Sequence, residues 1–325
     1  MTPMAQILQN RGPQQSRLPS RSNSRHPPTD HNLTAEVPAS RKLTVTAMSA
    51  PQVVTLPSDL AALERRFVPR LNALGFRFGA SGGLLSRTMM LAELKLILGG
   101  TRESASLAEI SEVVLTDNLL GKPTSASRRK SLDHLVELYG LDSSKALFRV
   151  FRRLATMEPE SVPILALVCV FCRDAQLRAS FHVIRSLKLG EQLHREHVER
   201  FMATCFPQRF SPAMLMSLAQ NTSASWTAAG HLSGRIKKTR THPAPRPLAV
   251  AFALLAGYLV GLRGQSLLQS EFGALASAQA SVIPSQLALA SARGLLGFKY
   301  AGGVVEFDFS PLLTPTELAF TDVAD

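Results

Sequence analysis

The sequence predicts a mainly all-α protein of two helical domains, the second of which ends in a winged-helix-like β-hairpin. Apolar residues recur at helical spacing from 84 to 222, and the segment 248–262 is apolar on nearly every side. Near the C-terminus, apolar residues alternate on both sides of Gly302-Gly303, which is a strong hairpin signal. Helices followed by a terminal hairpin have the chain order of a winged helix, which places a helix in the major groove of DNA.

Length and composition suggest how the chain is divided. Its 325 residues are 45% apolar, which suffices for two domains with a core. Residues 1–47 are rich in Ser, Pro and Arg without apolar periodicity, so we expect a disordered basic extension. A start codon assigned upstream of Met48 would explain it, and a phosphate-binding arm is the alternative. We interpret 48–83 as linker and lead-in helix, 84–205 as the N-terminal helical domain and 206–325 as the C-terminal one.

Local signals place the helices of the first domain. One apolar stripe predicts a helix from Leu84 to Leu98 that ends at Gly99-Gly100. A helix capped by Asp142 is predicted to extend at least to Leu154, and Pro163 suits the first turn of a long helix. The remaining predicted helices cover 107–119, 125–139, 161–187 and 191–205.

In the second domain, Ser211-Pro212 begins a helix, and 248–262 is predicted to be the central helix. This apolar run and that of 162–172 are shorter than the roughly 20 residues that cross a bilayer. We therefore interpret both as buried helices and expect no membrane partner. A shorter helix, 284–293, precedes the hairpin strands.

No secretory signal is visible, and the three cysteines do not indicate a disulfide scaffold, so we expect a cytoplasmic protein.

The distribution of charge is the main functional signal. The formal net charge is +12, and no Asp or Glu occurs between Glu199 and Glu271. Such a one-sided surface favours an external polyanion, of which nucleic acid is the commonest. We predict phosphate contacts from five cations of this interval, namely Arg235, Lys237, Lys238, Arg240 and Arg246.

A second basic cluster is predicted on the helix that follows Asp142. Its four cations lie at i, i+4, i+7 and i+8 and therefore share a face; they are Lys145, Arg149, Arg152 and Arg153. Arg128 and Arg129 are close in sequence. Phosphate contact and a solvated helix face both remain open for this cluster.

Catalytic patterns are weak. Glu191 and His194 have a di-iron spacing but no second motif, so we interpret them as part of an exposed polar helix. Cys169 and Cys172 have C-x-x-C spacing within an apolar run, which favours buried small residues over a zinc or redox site. Phosphate-binding loops, nucleophile elbows and clustered carboxylates are missing from the sequence. We therefore predict no catalytic residue, metal site or cofactor, and no enzyme activity.

Two aromatic residues near the basic interval receive structural interpretations. Trp226, the single tryptophan, is interpreted as a core anchor that follows a helix, with a stacking platform for bases as the alternative. His231 lies between glycine turns and is interpreted as structural rather than as a metal ligand.

Three stretches of sequence resemble the BrxA family of BREX bacteriophage-defence systems. They are SLAQNTSASWTAAGHLSGRIKKTR, PRPLAVAFALLAGYLVGLRGQSLL and GLLGFKYAGGVVEFDF. The resemblance is specific over 205–313 and covers only the helical layout over 84–204. It implies an all-α protein that binds double-stranded DNA, has no established catalytic activity, and accompanies a methyltransferase, an ATPase and a phosphatase-like protein. The long basic N-terminal extension departs from the family.

The leading hypothesis is a non-enzymatic, sequence-tolerant component of a BREX system, with double-stranded DNA and other BREX proteins as partners. About six phosphate contacts would give a log–log salt slope near −5. One alternative is a winged-helix transcriptional regulator that reads an operator through 284–293, although only Gln286 and Arg293 there suit base reading. Another is a structural adaptor that docks an acidic protein.

Overall fold

The structure, a computed structural model, describes residues 68–79, 82–277 and 279–321. The predicted extension 1–47 and most of the predicted linker lie outside these residues. The fold is mainly helical, as predicted, with a two-stranded antiparallel sheet near the C-terminus. A second, three-stranded sheet was not predicted.

The helices follow one another through short connections. The first half contains α1 (68–73), α2 (Leu91–Gly100), α3 (Leu107–Leu115), α4 (Ser125–Tyr139), α5 (Ala146–Met157), α6 (Val162–Phe171) and α7 (Ala175–Ser186). The second half contains α8 (Arg195–Cys205), α9 (Pro212–Ala228), α10 (Pro247–Leu259), α11 (Gly264–Leu268), α12 (Glu271–Ala276), α13 (Ile283–Ala292) and α14 (Pro315–Ala319).

Five short strands complete the fold. They are β1 (Gln192–Leu193), β2 (Leu232–Ser233), β3 (Lys238–Arg240), β4 (Gly297–Ala301) and β5 (Val304–Asp308). The first three form an antiparallel sheet in the order β1-β3-β2, so β3 is paired on both sides. The last two form the predicted terminal hairpin, in which Ala301 pairs with Val304. Gly302 and Gly303 have φ values of 59° and 82°, as a tight two-residue turn requires.

Several helix ends agree with their sequence signals. Thr124 and Ser127 form a capping box at the start of α4, and Gly140 follows its end with φ of 79°. Ser211 caps α9 by accepting a hydrogen bond from the backbone N–H of Met214. The apolar helix predicted over 248–262 is confirmed as α10, which is buried almost throughout.

Other helix predictions were wrong in their bounds. The helix predicted from Leu84 to Leu98 corresponds to α2, which begins only at Leu91. Met90 adopts a left-handed φ of 48° that an α-helix does not accommodate. The segment predicted as one helix over 161–187 forms α6 and α7, and Asp174 caps α7 by accepting from the N–H of Leu177. The segment 191–205 becomes helical only at Arg195, after β1.

A single hydrophobic core connects the two halves of the chain. Helix α10 packs against α5, α6, α12 and α13, and the ring centroids of Phe151 and Phe252 lie 6.2 Å apart across the contact of α5 and α10. The predicted boundary between 205 and 206 therefore does not separate two compact units, and all described residues belong to one. The physical reason is that α10 has apolar side chains on all sides and needs partners from both halves.

The length of the buried apolar helices bears on whether they could cross a membrane. No helix in the described part of the chain is long and apolar enough to span a membrane. Cys169 and Cys172 are buried free thiols on and after α6, as their sequence context predicted, and burial raises the pKa of Cys169 to about 12. Within residues 68–79, 82–277 and 279–321, no cluster of three or more His, Cys, Asp or Glu side chains is arranged for a metal ion.

Candidate nucleic-acid interface

The centre of the acid-free interval forms a β-hairpin. We call residues 232–240 the basic hairpin: β2 and β3 are joined by a turn that contains Gly234, Arg235, Ile236 and Lys237. Gly234 has a φ of 95°, and a Cβ atom there would lie 2.1 Å from the carbonyl oxygen of Lys237. Only glycine fits this turn. It places three exposed side chains at the tip, and Ile236 is 90% exposed.

The base of the basic hairpin is held by hydrogen bonds on several sides. The Nζ of Lys238 donates to Thr227 Oγ1 on α9 at 2.9 Å. Across the two strands, the hydroxyl oxygens of Ser233 and Thr239 lie 2.9 Å apart. Since β3 is also paired with β1, the hairpin is part of a three-stranded sheet rather than an isolated ribbon. Burial of the Lys238 ammonium lowers its pKa.

Arg240 is a buried anchor, which argues against the phosphate contact predicted for it. Arg240 is only 7% exposed. Its Nη1 donates to the carbonyl oxygens of His231 at 2.9 Å and Thr241 at 2.6 Å. A buried guanidinium needs such acceptors, because desolvation without them is costly. Burial accordingly lowers the pKa of Arg240.

His231 completes this anchor as a neutral imidazole. Its Nε2 lies 2.9 Å from the carbonyl oxygen of Leu275, which only accepts, so Nε2 carries the hydrogen. Its Nδ1 then accepts from Arg240 Nη1 at 3.1 Å. Burial, followed by the charge of Arg240, lowers the pKa of His231 to about 3. The structural interpretation of His231 is confirmed.

Trp226 ties the same region to the core. It is fully buried near the C-terminal end of α9, and its Nε1–H donates to Ser180 Oγ at 2.7 Å. Its ring stacks on Phe181 with centroids 5.1 Å apart and meets His231 edge-on at 5.0 Å. The core-anchor prediction is confirmed, although the residue lies within a helix rather than after one.

The cations at the tip have no acidic partner. Among the ion pairs of residues 68–79, 82–277 and 279–321, none includes Arg235 or Lys237. Arg246 is partly exposed at the start of α10. Burial of an aliphatic side chain stabilises a fold by roughly 1.5–3 kcal/mol, and exposed Ile236 does not contribute this free energy. Ile236 was not predicted as a functional residue, although the sequence places it between two cations shortly after Gly234.

The predicted cationic face of α5 is covered by the C-terminal segment. The guanidinium of Arg149 donates from both terminal nitrogens to the Glu317 carboxylate, at 2.8 and 2.5 Å. Arg153 donates to the carbonyl oxygen of Pro311 at 3.1 Å. Arg152 is 1% exposed and donates to the backbone and side-chain oxygens of Thr101, both at 2.6 Å.

The internal bonds of Arg149 and Arg152 favour a structural role for this face over the phosphate contact that the sequence left open. Helical spacing showed that the cations share a side of α5, but their acceptors lie far away in sequence, at Thr101 and Glu317. Lys145 remains partly exposed just before α5.

The cations on α4 have different roles. Arg128 donates from Nη1 to the carbonyl oxygen of Leu115 at 2.9 Å and so satisfies the end of α3. Arg129 and Lys130 are exposed. Helix α4 packs against α3 and α6, whereas the basic hairpin packs on α9.

The terminal hairpin and α13 present little positive charge. The cation Lys299 of β4 pairs with Glu306 of β5 at 3.4 Å, and Asp308 adds a further negative charge. Arg293, after α13, pairs with Glu158 at 3.2 Å. The exposed positions of α13 are small or apolar and comprise Ser285, Ala288, Leu289 and Ala292. This surface is poorly suited to phosphate binding.

Comparison with known proteins adds no assignment. No protein-family profile matches the chain, and no curated protein shows significant similarity to it.

Proposed function

We propose that this chain is a non-enzymatic double-stranded DNA-binding component of a BREX phage-defence system, and that the basic hairpin is its principal contact. The observation that carries the proposal is a hairpin with a hydrogen-bonded base, at whose tip Arg235 and Lys237 are exposed without acidic partners. The BREX assignment is supported by the resemblance of residues 205–313 to the BrxA family.

Contacts from such cations go mainly to phosphate oxygens, which position a protein without reading sequence. The buried anchor at Arg240 and His231 supports this role, because a fixed base holds the tip cations in place before DNA arrives.

The salt dependence follows from the number of available cations. The basic hairpin and Arg246 offer about three phosphate contacts, so the log–log slope of affinity against salt is expected to be about −3. This is shallower than the sequence-based value, because Arg149, Arg152 and Arg240 are occupied within the fold.

The test is binding of the full chain to unrelated DNA duplexes over a salt series. Arg235→Ala with Lys237→Ala is expected to reduce the slope by about 2, and Arg235→Glu with Lys237→Glu to abolish binding. The matched control is Lys95→Glu with Lys299→Glu, which makes the same change in net charge at exposed positions on α2 and β4. Unchanged affinity of the hairpin variant would overturn the proposed interface.

The same assay discriminates the alternatives. A winged-helix regulator would bind one operator far more tightly than other sequences, and Lys299→Ala would weaken its binding. The near-neutral, apolar surface of α13 and β4–β5 argues against that function. Absence of binding at low salt would favour an adaptor for an acidic protein, and equal binding to duplex RNA would widen the ligand class.

A further inference from the structure

We propose that Ile236 is an apolar wedge that enters the minor groove and partly opens a base step, while Arg235 and Lys237 hold phosphates on either side. The inference rests on the proposed function and specifies its mode of contact. Phosphate neutralisation explains the two cations but gives no role to the residue between them. An apolar side chain at the tip gains free energy if binding removes it from water.

The exposure of Ile236 sets it apart. At 90% it exceeds every other large hydrophobic residue in the described part of the chain, the next being Val304 at 64%. Ile236 also differs from Val304 in its surroundings, since its neighbours in sequence are cations without acidic partners. Aliphatic side chains are among those that architectural proteins insert between base steps from the minor groove.

The length of the turn is compatible with insertion. The last paired residues of the basic hairpin are Ser233 and Thr239, so Ile236 is three residues from each. At roughly 3.3 Å per residue, the tip projects at most about 10 Å, which compares with a minor-groove depth of about 7.5 Å. This upper bound leaves room for the Ile236 side chain to enter the groove while β2 and β3 stay outside it.

A wedge also needs a stiff support, because the stacked bases resist its entry. The bond from Lys238 to Thr227 and the pairing of β3 on both sides hold the strands. Below them, Arg240 and His231 join the hairpin to the carbonyl oxygen of Leu275. Flexibility is thus confined to the few residues of the turn.

The charges of the turn favour a DNA groove over a protein cleft as the site that Ile236 enters. Docking into an apolar protein cleft would bury Arg235 and Lys237 beside Ile236, and buried cations without partners are unfavourable. In a groove, the apolar side chain faces the bases while phosphates lie on both sides. The alternation of cation, isoleucine and cation therefore favours duplex DNA.

The experiment compares two duplexes of equal length, one with central TA steps and one with a central A-tract, because TA steps open easily and A-tracts are stiff. End-to-end energy transfer reports bending, and 2-aminopurine at the central step reports unstacking. The full chain is tested as wild type, Ile236→Ser, the apolar replacement Ile236→Met, and the control Leu289→Ser, which alters an exposed leucine of α13.

We expect the wild-type chain to prefer the TA duplex, to bend it and to raise the 2-aminopurine signal. Ile236→Ser should lose about tenfold in affinity for the TA duplex, or about 1.4 kcal/mol, together with bending and preference, but should keep the salt slope. Ile236→Met and Leu289→Ser should behave like the wild type. Thermal melts of each variant establish that folding is unchanged.

The outcomes separate the two proposals. Salt-dependent binding without bending or unstacking, or an Ile236→Ser variant identical to the wild type, overturns the wedge and leaves the DNA-binding proposal intact. Absence of binding to either duplex at low salt overturns the proposed function and the wedge together.

Discussion

At the residue scale, the basic side chains differ chiefly in whether the fold already uses them. Arg149, Arg152 and Arg240 have acceptors within the protein, whereas Arg235 and Lys237 project into solvent. The difference arises from burial, because a guanidinium removed from water must be compensated by hydrogen bonds and is then unavailable to an external anion. Net charge alone therefore overstates the number of phosphate contacts.

Replacement by methionine should affect stability at Arg240 and DNA binding at Arg235. Arg240→Met leaves His231 Nδ1 and two carbonyl oxygens without their donor, so we expect unfolding to become easier by about 2–4 kcal/mol. Arg235→Met should alter stability by at most about 0.5 kcal/mol and instead weaken DNA binding. Urea unfolding and a salt series of DNA affinities measure the two effects. Equal destabilisation by both variants would contradict a structural role for Arg240 and an exposed, DNA-contacting role for Arg235.

His231 predicts a pH dependence of stability. Its pKa is about 3 in the folded protein, below the ordinary value of about 6.5 in the unfolded chain. The unfolded state therefore binds the proton more readily, and stability is retained above pH 6.5 and lost as pH falls towards 3. Between pH 7.5 and 5 the loss attributable to this residue is about 2 kcal/mol.

The measurement is the free energy of unfolding at several pH values for the wild type and for His231→Gln. The variant, which lacks the titrating ring, should show a slope against pH that is smaller by the contribution of His231. The exposed residue His242 supplies the control as His242→Gln. Parallel pH profiles for wild type and His231→Gln would show that His231 is not the group responsible.

At the element scale, α5 shows how a helix face acquires a partner that local patterns do not reveal. Helix α14 and the segment before it lie over α5 through Arg149, Arg153 and Glu317. Burial tends to raise the pKa of Glu317, but the bonds from Arg149 and Thr314 outweigh it, so the pKa is lowered. The ion pair is therefore part of the closure of the C-terminus rather than a ligand site.

Arg149→Ala should destabilise the protein by about 2 kcal/mol, since it leaves the buried carboxylate of Glu317 without its partner. The expected value is smaller than that for a fully buried pair, because the Arg149 side chain retains 30% exposure. DNA affinity should not change. Arg153→Ala, which removes only an exposed bond to Pro311, is the control in the same unfolding assay. A loss of DNA affinity from Arg149→Ala would restore α5 as a phosphate surface.

At the scale of the whole molecule, α10 makes the fold a single cooperative unit. Phe252 is fully buried and contacts Phe151 of α5, so the two halves of the chain share their apolar surface. Separation at the predicted boundary would expose that surface on both sides. The two predicted domains are therefore better regarded as two halves of one core.

Phe252→Ala should destabilise the entire protein by about 3–5 kcal/mol through lost burial and a residual cavity. Far-UV circular dichroism and Trp226 fluorescence should report one coincident transition in wild type and variant, because both probes follow the same core. Leu289→Ala, at a position 52% exposed, should have little effect. Two separated transitions would support independent domains.

Most helices and the terminal hairpin could be predicted from the sequence because their signals are local. Capping residues and Gly140 located α4, a run that is apolar on nearly every side located α10, Ser211 located the start of α9, and the glycine pair located the turn between β4 and β5. The strands β1, β2 and β3 were not predicted, since each has only two or three residues and depends on a partner distant in the chain.

For the candidate site, the sequence by itself determined the acid-free interval, the glycine at its turn and the structural nature of Trp226 and His231. Only the tertiary structure decided which cations stay available and which residue forms the tip. The physical reason is that composition and spacing specify charge and local conformation, whereas desolvation and hydrogen bonding depend on groups brought together by folding. Arg240 and Arg235 lie five positions apart, yet one is enclosed by His231 and Thr241 and the other meets solvent.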